Sequence, residues 1–182
     1  MKITETGFDG LLLIDPVVHA DSRGYFMESF NSDVFRKAGV SFVPVQDNES
    51  RSARGVIRGL HYQLRPFDQA KLIRVIEGRI LDVALDIRQS SKTFGRWFGI
   101  ELDSENKKQL FIPKGFAHGF SVLSEFAAIQ YKCDNLYRQP YERSIAVNDP
   151  ALGIDWNMDI SKAIISEKDL NSPHFHLAEN NF

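Results

Sequence analysis

Short apolar stretches recur about every 8–12 residues along the chain, separated by Gly, Pro, Asn and Asp. That rhythm favours strands joined by tight turns and predicts an all-β sandwich or barrel. The clearest strand is Ile80–Ile87, where Leu81, Val83, Leu85 and Ile87 alternate with Asp82, Ala84 and Asp86. Phe98, Ile100 and Leu102 alternate in the same way with Trp97, Gly99 and Glu101. A period of two places each set on one face of a sheet. Further strands are expected at Gly10–Ile14, Tyr25–Phe30, Val56–Gln63, Lys71–Glu77, Gln109–Ile112, His118–Leu123 and Ala127–Cys133. Their number suits two packed antiparallel sheets, as in a jelly roll. One helix is expected at Ser32–Ala38, with Asn31 or Ser32 as N-cap and Gly39 as its stop. Pro150–Gly153 reads as a turn, and Ser161–Asp169 as one or two short helical turns.

No repeat, low-complexity tract or Pro/Ser-rich linker interrupts the 182 residues, so one domain over residues 1–182 is expected. A chain this long buries roughly two-thirds of its unfolded surface, enough to fold without a disulfide or a metal. Cys133 is the only cysteine, which excludes an internal disulfide and disfavours a Cys-based zinc site. Twenty-four acidic against twenty-two basic side chains leave a net charge of −2. That balance argues against nucleic-acid and membrane-surface partners, while leaving room for a local basic pocket. The N-terminus lacks the apolar stretch of a signal peptide, and no run approaches the ~20 apolar residues of a membrane span. A cytoplasmic location is expected.

Two histidines stand out by context. His61 lies in Arg58-Gly-Leu-His-Tyr-Gln63, and His118 in Pro113-Lys-Gly-Phe-Ala-His118-Gly119. The Pro-x-Gly-x-x-His run places an inward-facing histidine after a turn, and it resembles the second motif of the cupins, a family of small jelly-roll barrels. Metal-binding cupins supply His-x-His and a Glu from their first motif. Here Gln63 stands for the second histidine, no Glu follows until Glu77, and Lys71 brings a cation instead. A divalent ion needs anionic or neutral ligands, so no metal is expected. A histidine without a metal is a candidate general base, although a hydrogen-bonded core histidine accounts for the same residue. Gln46, Asn48, Arg58, His61, Gln63, Lys71, His118, Tyr131 and Lys132 all fall on or near expected strands. Burying so many donors and charges is costly unless they face a ligand or one another, so a polar-lined barrel interior is expected to bind something. Arg23, Tyr25, Phe26 and Glu28 suit a nucleotide, the guanidinium for phosphate and a ring for the base. A surface strand with an Arg–Glu pair explains them equally well.

In order along the chain stand Asp21-x-Arg-Gly-x-Phe-x-Glu-x-Phe30, Gln46-Asp-Asn48, Arg58-Gly-Leu-His-x-Gln63 and Gln69-x-Lys71-Leu. Asp82-Val, Asp86-x-Arg88, Thr93-Phe-Gly95, Pro113-x-Gly-Phe-Ala-His-Gly-Phe120, Tyr131-Lys-Cys133, Asp149-Pro-x-Leu-Gly-Ile-x-Trp156 and Ser166-Glu-Lys-Asp169 follow. Together they resemble the dTDP-4-dehydrorhamnose 3,5-epimerase family from Asp21 to Asp169. The resemblance implies a double-stranded β-helix, or cupin-like jelly-roll barrel, with a few short helices. It implies a cofactor-free epimerase of dTDP-4-dehydro-6-deoxy-D-glucose, yielding dTDP-4-dehydro-L-rhamnose. It further implies His61 as base with Asp169 as its partner, and Tyr131 as acid on the opposite face. Lys71, supported by His118, would lie near the enolate oxygen. Arg23, Phe26, Glu28, Gln46, Asn48, Arg58, Glu142 and Lys168 match positions that hold dTDP, and Tyr137 borders the thymine. A homodimer is implied, with the N-terminal strand and its Arg23 group serving the partner's site.

One stretch departs from the family pattern. Tyr137-Arg-Gln-Pro140-Tyr-Glu142-Arg-Ser144-Ile-Ala-Val147 has proline one place late, serine for glycine and valine for tryptophan. These changes are expected to alter the loop's path and the positions of Tyr137 and Glu142. An epimerase acting at C3 or C5 alone, a non-catalytic sugar-nucleotide-binding jelly roll and a metal-dependent cupin enzyme are the alternatives. Retention of His61, Asp169 and Tyr131 disfavours the second, while Gln63 and Lys71 disfavour the third.

Overall fold

Antiparallel pairing gathers most strands into two sheets laid face to face, the jelly roll expected from the turn rhythm. In the computed structural model, which describes residues 1–182, the early strands are β1 (Lys2–Glu5), β2 (Leu12–Asp15), β3 (Val18–Asp21), β4 (Gly24–Met27) and β5 (Gln46–Ala53). β6 (Ile57–Gln63), β7 (Lys71–Glu77), β8 (Arg79–Asp86) and β9 (Trp97–Asp103) follow, then β10 (Gln109–Ile112), β11 (Phe116–Val122), β12 (Phe126–Cys133) and β13 (Glu142–Ser144). Two short helices are α1 (Ser32–Lys37) and α2 (Glu167–Leu170). One sheet runs β1-β2-β10-β7-β12-β5, the other β13-β6-β11-β8-β9, and β3-β4 form a separate hairpin. No helix is long and apolar enough to cross a membrane.

The main core fills the space between the sheets with Ile73, Val75, Ile80, Leu110, Phe116, Phe120 and Ile129 among others. A second cluster covers the outer face of the five-stranded sheet, where Leu81, Val83 and Leu85 meet Ile145, Val147 and Trp156. That sheet is therefore covered on both sides, and every residue of β8 except Arg79 is buried. The apolar row expected on β8 points away from the barrel interior, and Asp82 and Asp86 lie on the inward side with Ile80 and Ala84. The polar half of the alternation serves the inside because the inside is not wholly greasy.

Asp86 is fully buried and is met by Arg88 Nη2 at 2.7 Å, Arg88 Nε at 2.9 Å, and the Ser91 and Thr93 hydroxyls at 2.6 Å each. Its carboxyl is pushed up by burial, yet these four donors outweigh burial and hold it below the usual carboxylate range. The Asp86-x-Arg88 and Thr93 motifs thus build one knot that closes the loop between β8 and β9.

Helix α1 forms as expected. Asn31 Oδ1 accepts from the N–H groups of Asp33 and Val34, and Gly39 follows the helix with φ +77°. Its Phe35 packs with Phe42 and Phe111 over the outer face of the six-stranded sheet. β5 was not among the expected strands, because Gln-Asp-Asn-Glu-Ser-Arg-Ser-Ala carries no large apolar side chain. Its alternation is real but entirely polar: Gln46, Asn48, Ser50 and Ser52 are sheltered, while Asp47, Glu49 and Arg51 are exposed.

Candidate active site

Gly59 determines how β6 presents its side chains. It adopts φ +132°, and a Cβ there would lie 2.5 Å from Gly119 Cα, so only glycine allows β6 and β11 to approach this closely. The β6–β11 register shifts at this point. Ile57, Leu60 and Tyr62 consequently join the outer cluster, and Arg58, His61 and Gln63 are turned inward.

His61 Nε2 lies 2.7 Å from Asp169 Oδ1, a carboxylate that is 4% exposed and brought in from outside the barrel by α2. Burial pushes the Asp169 carboxyl up, but the His61 bond and charge, the Gly59 N–H at 3.4 Å and Ser166 hold it lower than usual. The ionised carboxylate fixes the proton on Nε2 and leaves the Nδ1 lone pair of His61 free.

His61 opens onto a cavity of about 240 Å³ whose lining includes Gln46, Asn48, Lys71, Tyr131, Tyr137 and Glu142. The walls come from both sheets: His61 from β6 of one, Lys71 and Tyr131 from β7 and β12 of the other. Burial raises the Tyr131 phenol above its ordinary value, with Cys133 and Glu142 adding to it and Arg58 opposing, so the phenol is protonated at neutral pH. Burial lowers the Lys71 ammonium, against the opposing pull of Cys133, Asp82 and Glu142. Glu142 accepts from Lys168 Nζ at 2.5 Å and Tyr137 Oη at 2.9 Å. Burial raises its carboxyl, but these bonds and the His61 charge bring it below the usual range.

The unusual Tyr137–Ser144 stretch keeps Tyr137 and Glu142 at the cavity. Gln46 Oε1 accepts from the Tyr137 N–H at 2.8 Å, and Gln63 Oε1 from the Arg138 N–H at 2.5 Å. β13 then pairs with β6, Glu142 opposite Gln63 and Ser144 opposite His61. Gln63 also donates to the Phe67 and Leu136 carbonyls, so its amide is spent on holding the loop. Nowhere in the chain do three or more His, Cys, Asp or Glu side chains converge as a metal centre requires.

Other expected site residues lie elsewhere. His118 sits beside His61 in register on β11, behind the cavity wall, with Nε2 2.7 Å from the fully buried Asp82. Arg58 Nε donates to Ser52 Oγ at 3.0 Å, linking the two sheets at the cavity's edge. Lys132 points outward to Asp47, because only alternate residues of β12 face in. Arg23, Phe26 and Glu28 are not brought to this cavity: Arg23 pairs with Asp21, Phe26 is 71% exposed, and Glu28 accepts from Asn31. No Arg23–Glu28 pair forms. Sequence reasoning quoted Asp82, Ser166 and Gln69 within motifs but gave them no place in the site, where Asp82 meets His118, Ser166 caps the turn carrying Asp169 and Gln69 lines the cavity. An aspartate within a strand was the available signal for Asp82, and a Ser-x-x-Asp cap that for Ser166.

The family model described as dTDP-4-dehydrorhamnose 3,5-epimerase matches residues 5–176. The enzyme of that name from Methanothermobacter thermautotrophicus is 50% identical over 171 residues, covering 93% of this chain and 92% of its own. The crystal structure of dTDP-4-dehydrorhamnose 3,5-epimerase from Elizabethkingia anophelis superposes with a TM-score of 0.93 at 48% identity over 97% of each chain. The dTDP-6-deoxy-D-glucose-3,5-epimerase of Legionella pneumophila, crystallised with dTDP-4-keto-L-rhamnose, gives a TM-score of 0.92 at 46% identity, covering 97% of this chain and 93% of its own. Agreement in sequence and in fold over almost the whole length means that the chain belongs to the dTDP-4-dehydrorhamnose 3,5-epimerase family.

Proposed function

We propose that the chain inverts C3 and C5 of dTDP-4-dehydro-6-deoxy-D-glucose to give dTDP-4-dehydro-L-rhamnose, with His61 as base and Tyr131 as acid. The observation that carries this reading is the pair of proton carriers on opposite walls of one cavity, His61 oriented by a buried carboxylate and Tyr131 kept neutral by burial. The C4 ketone acidifies the hydrogens on both neighbouring carbons. His61 Nδ1 takes the proton from one face, the electron pair moves onto O4, and the Lys71 ammonium stabilises the enolate charge. Tyr131 returns a proton to the opposite face, inverting the carbon; it then recovers a proton from solvent while His61 releases the one it took to solvent, which resets the pair. Asp169 stabilises the imidazolium in between.

For dTDP, Gln46, Asn48, Tyr137, Glu142 and Lys168 supply polar contacts, and Arg58 a cation, at the mouth of the same cavity. Arg23, Phe26 and Glu28 complete the nucleotide site from a second copy of the chain in a homodimer. In support, the β3–β4 hairpin pairs with no other strand and leaves Tyr25 and Phe26 as exposed apolar surface.

Tyr131→Phe tests the division of labour. Proton removal by His61 survives, but return comes only to the face it left. The variant should wash solvent deuterium into the sugar while the D-gluco configuration persists and net inversion falls by about 10²-fold or more. Inversion at the wild-type rate overturns the acid role.

Lys71 gives a pH test. As pH rises through its lowered pKa the ammonium discharges, enolate stabilisation is lost and turnover falls. The alkaline limb of kcat should therefore lie below 10.5, the ordinary lysine value, and move upward in Lys71→Arg. A wild-type limb above that value contradicts the assignment.

A further inference from the structure

We infer that Ser144 and Ser172 are positioning residues whose hydroxyls latch the catalytic helix turn to the strand beside His61. This rests on the reading of His61 and Asp169 given above.

From α2, a single turn too short to hold its own place, Asp169 meets His61 and Lys168 meets Glu142, both residues of the cavity wall. Two rungs tie it to β13. Glu142 binds Lys168 at 2.5 Å, and the Ser144 and Ser172 hydroxyl oxygens lie 2.7 Å apart. Positions 142 and 144 are two apart on a strand and share a face. Positions 168 and 172 are four apart on α2 and the turn that continues it, and share a face there. Lys168 lies within α2 and Ser172 just past its C-cap Asn171, so the two rungs join the same two segments side by side. Each rung therefore fixes the other.

The Ser172 hydroxyl also lies 3.2 Å from the Lys168 carbonyl oxygen. Ser172 Oγ is placed to donate both to Ser144 Oγ and to that carbonyl; a hydroxyl has one proton, so the two acceptors share it, the shorter contact to Ser144 being the stronger. The Ser172 hydroxyl thus bridges Ser144 and the peptide group joining Lys168 to Asp169. Ser144 is also the residue opposite His61 in the β6–β13 register, so the latch connects the strand paired with the base's own to the turn carrying its carboxylate. Just beyond it, the Ala146 N–H donates to the Pro173 carbonyl at 2.9 Å, continuing the seam. Ser172 is 9% exposed, so water is a poor substitute for the lost partner.

The test compares Ser144→Ala, Ser172→Ala, the double variant and Ser144→Thr, which keeps the hydroxyl. Two readouts are taken: kcat with dTDP-4-keto-6-deoxyglucose, and the solvent exchange rate of the downfield His61 imidazole proton by NMR without substrate. Each alanine variant should lose about 10-fold to 10²-fold in kcat, as a displaced catalytic pair does, and exchange the proton about tenfold faster. The double variant should be no worse than either single one, and Ser144→Thr should recover both values to within about threefold. Unchanged exchange and kcat in both alanine variants overturn the inference, as does a loss that Ser144→Thr fails to recover. If the wild-type chain does not turn this sugar over, the proposed reaction fails, and the exchange rates alone then decide the latch.

Discussion

Replacing His61 by alanine should lower turnover by about 10²–10⁴-fold while leaving the affinity for dTDP within a few-fold of wild type. The proton must leave a carbon acid, and in the cavity only His61 combines a free ring nitrogen with a carboxylate that stabilises its charged form. Removing the ring also strands Asp169, a carboxylate that burial already opposes, so the change reaches the cavity's charge balance as well as its base. Of the nucleotide contacts proposed above, only Arg58 shares β6 with His61; the others lie on β5, the Tyr137–Ser144 stretch, α2 and the β3–β4 hairpin, which is why binding should survive. Steady-state kinetics beside calorimetric titration with dTDP separates the two effects. Full turnover in His61→Ala would remove it from the mechanism; a collapse of dTDP affinity with kcat unchanged would make it a binding residue. Asp169→Asn should fall between wild type and His61→Ala, because the amide can hold the ring but not stabilise its charge.

The largest effect on stability is expected far from the cavity. Asp86→Ala should destabilise the fold by about 3–5 kcal/mol, the usual result of removing one partner from a buried ion pair. Arg88 keeps its charge and loses its carboxylate, and the Ser91 and Thr93 hydroxyls lose their acceptor at the same time. For a chain of this size the melting temperature should fall by roughly 6–20 °C. A change of a degree or two would show that the knot is ornamental. The same carboxylate ties stability to pH. Its folded-state pKa is depressed, so its contribution is complete above the ordinary value of 3.8 and is lost as pH falls through the lower folded value.

The strand rhythm, α1 with its Asn31 cap and the His61 and His118 motifs were legible because each depends on local signals: alternation, capping chemistry and turn residues. β5 was not, because a strand whose sheltered row is Gln46, Asn48, Ser50 and Ser52 carries no hydrophobic contrast to read. β8 was visible as a strand, but its inward face was not: that choice was made by Trp156 and Ile145 arriving from distant sequence to cover the outside. Bringing Asp169 to His61 likewise spans 108 residues, a pairing that no local pattern encodes. The departures in the Tyr137–Ser144 stretch read as a displaced loop. In the fold, Gln46 and Gln63 capture its backbone N–H groups, and Tyr137 and Glu142 stay at the cavity. Arg23 and Phe26 were legible as nucleotide-binding residue types, yet their hairpin faces away from this chain's own cavity.

The most direct test of the central claim is to incubate the wild-type protein with dTDP-4-keto-6-deoxyglucose in D₂O and follow the sugar by NMR. The account predicts deuterium at both C3 and C5, with conversion to the L-rhamno configuration. Deuterium at one carbon alone, or at neither, would contradict it.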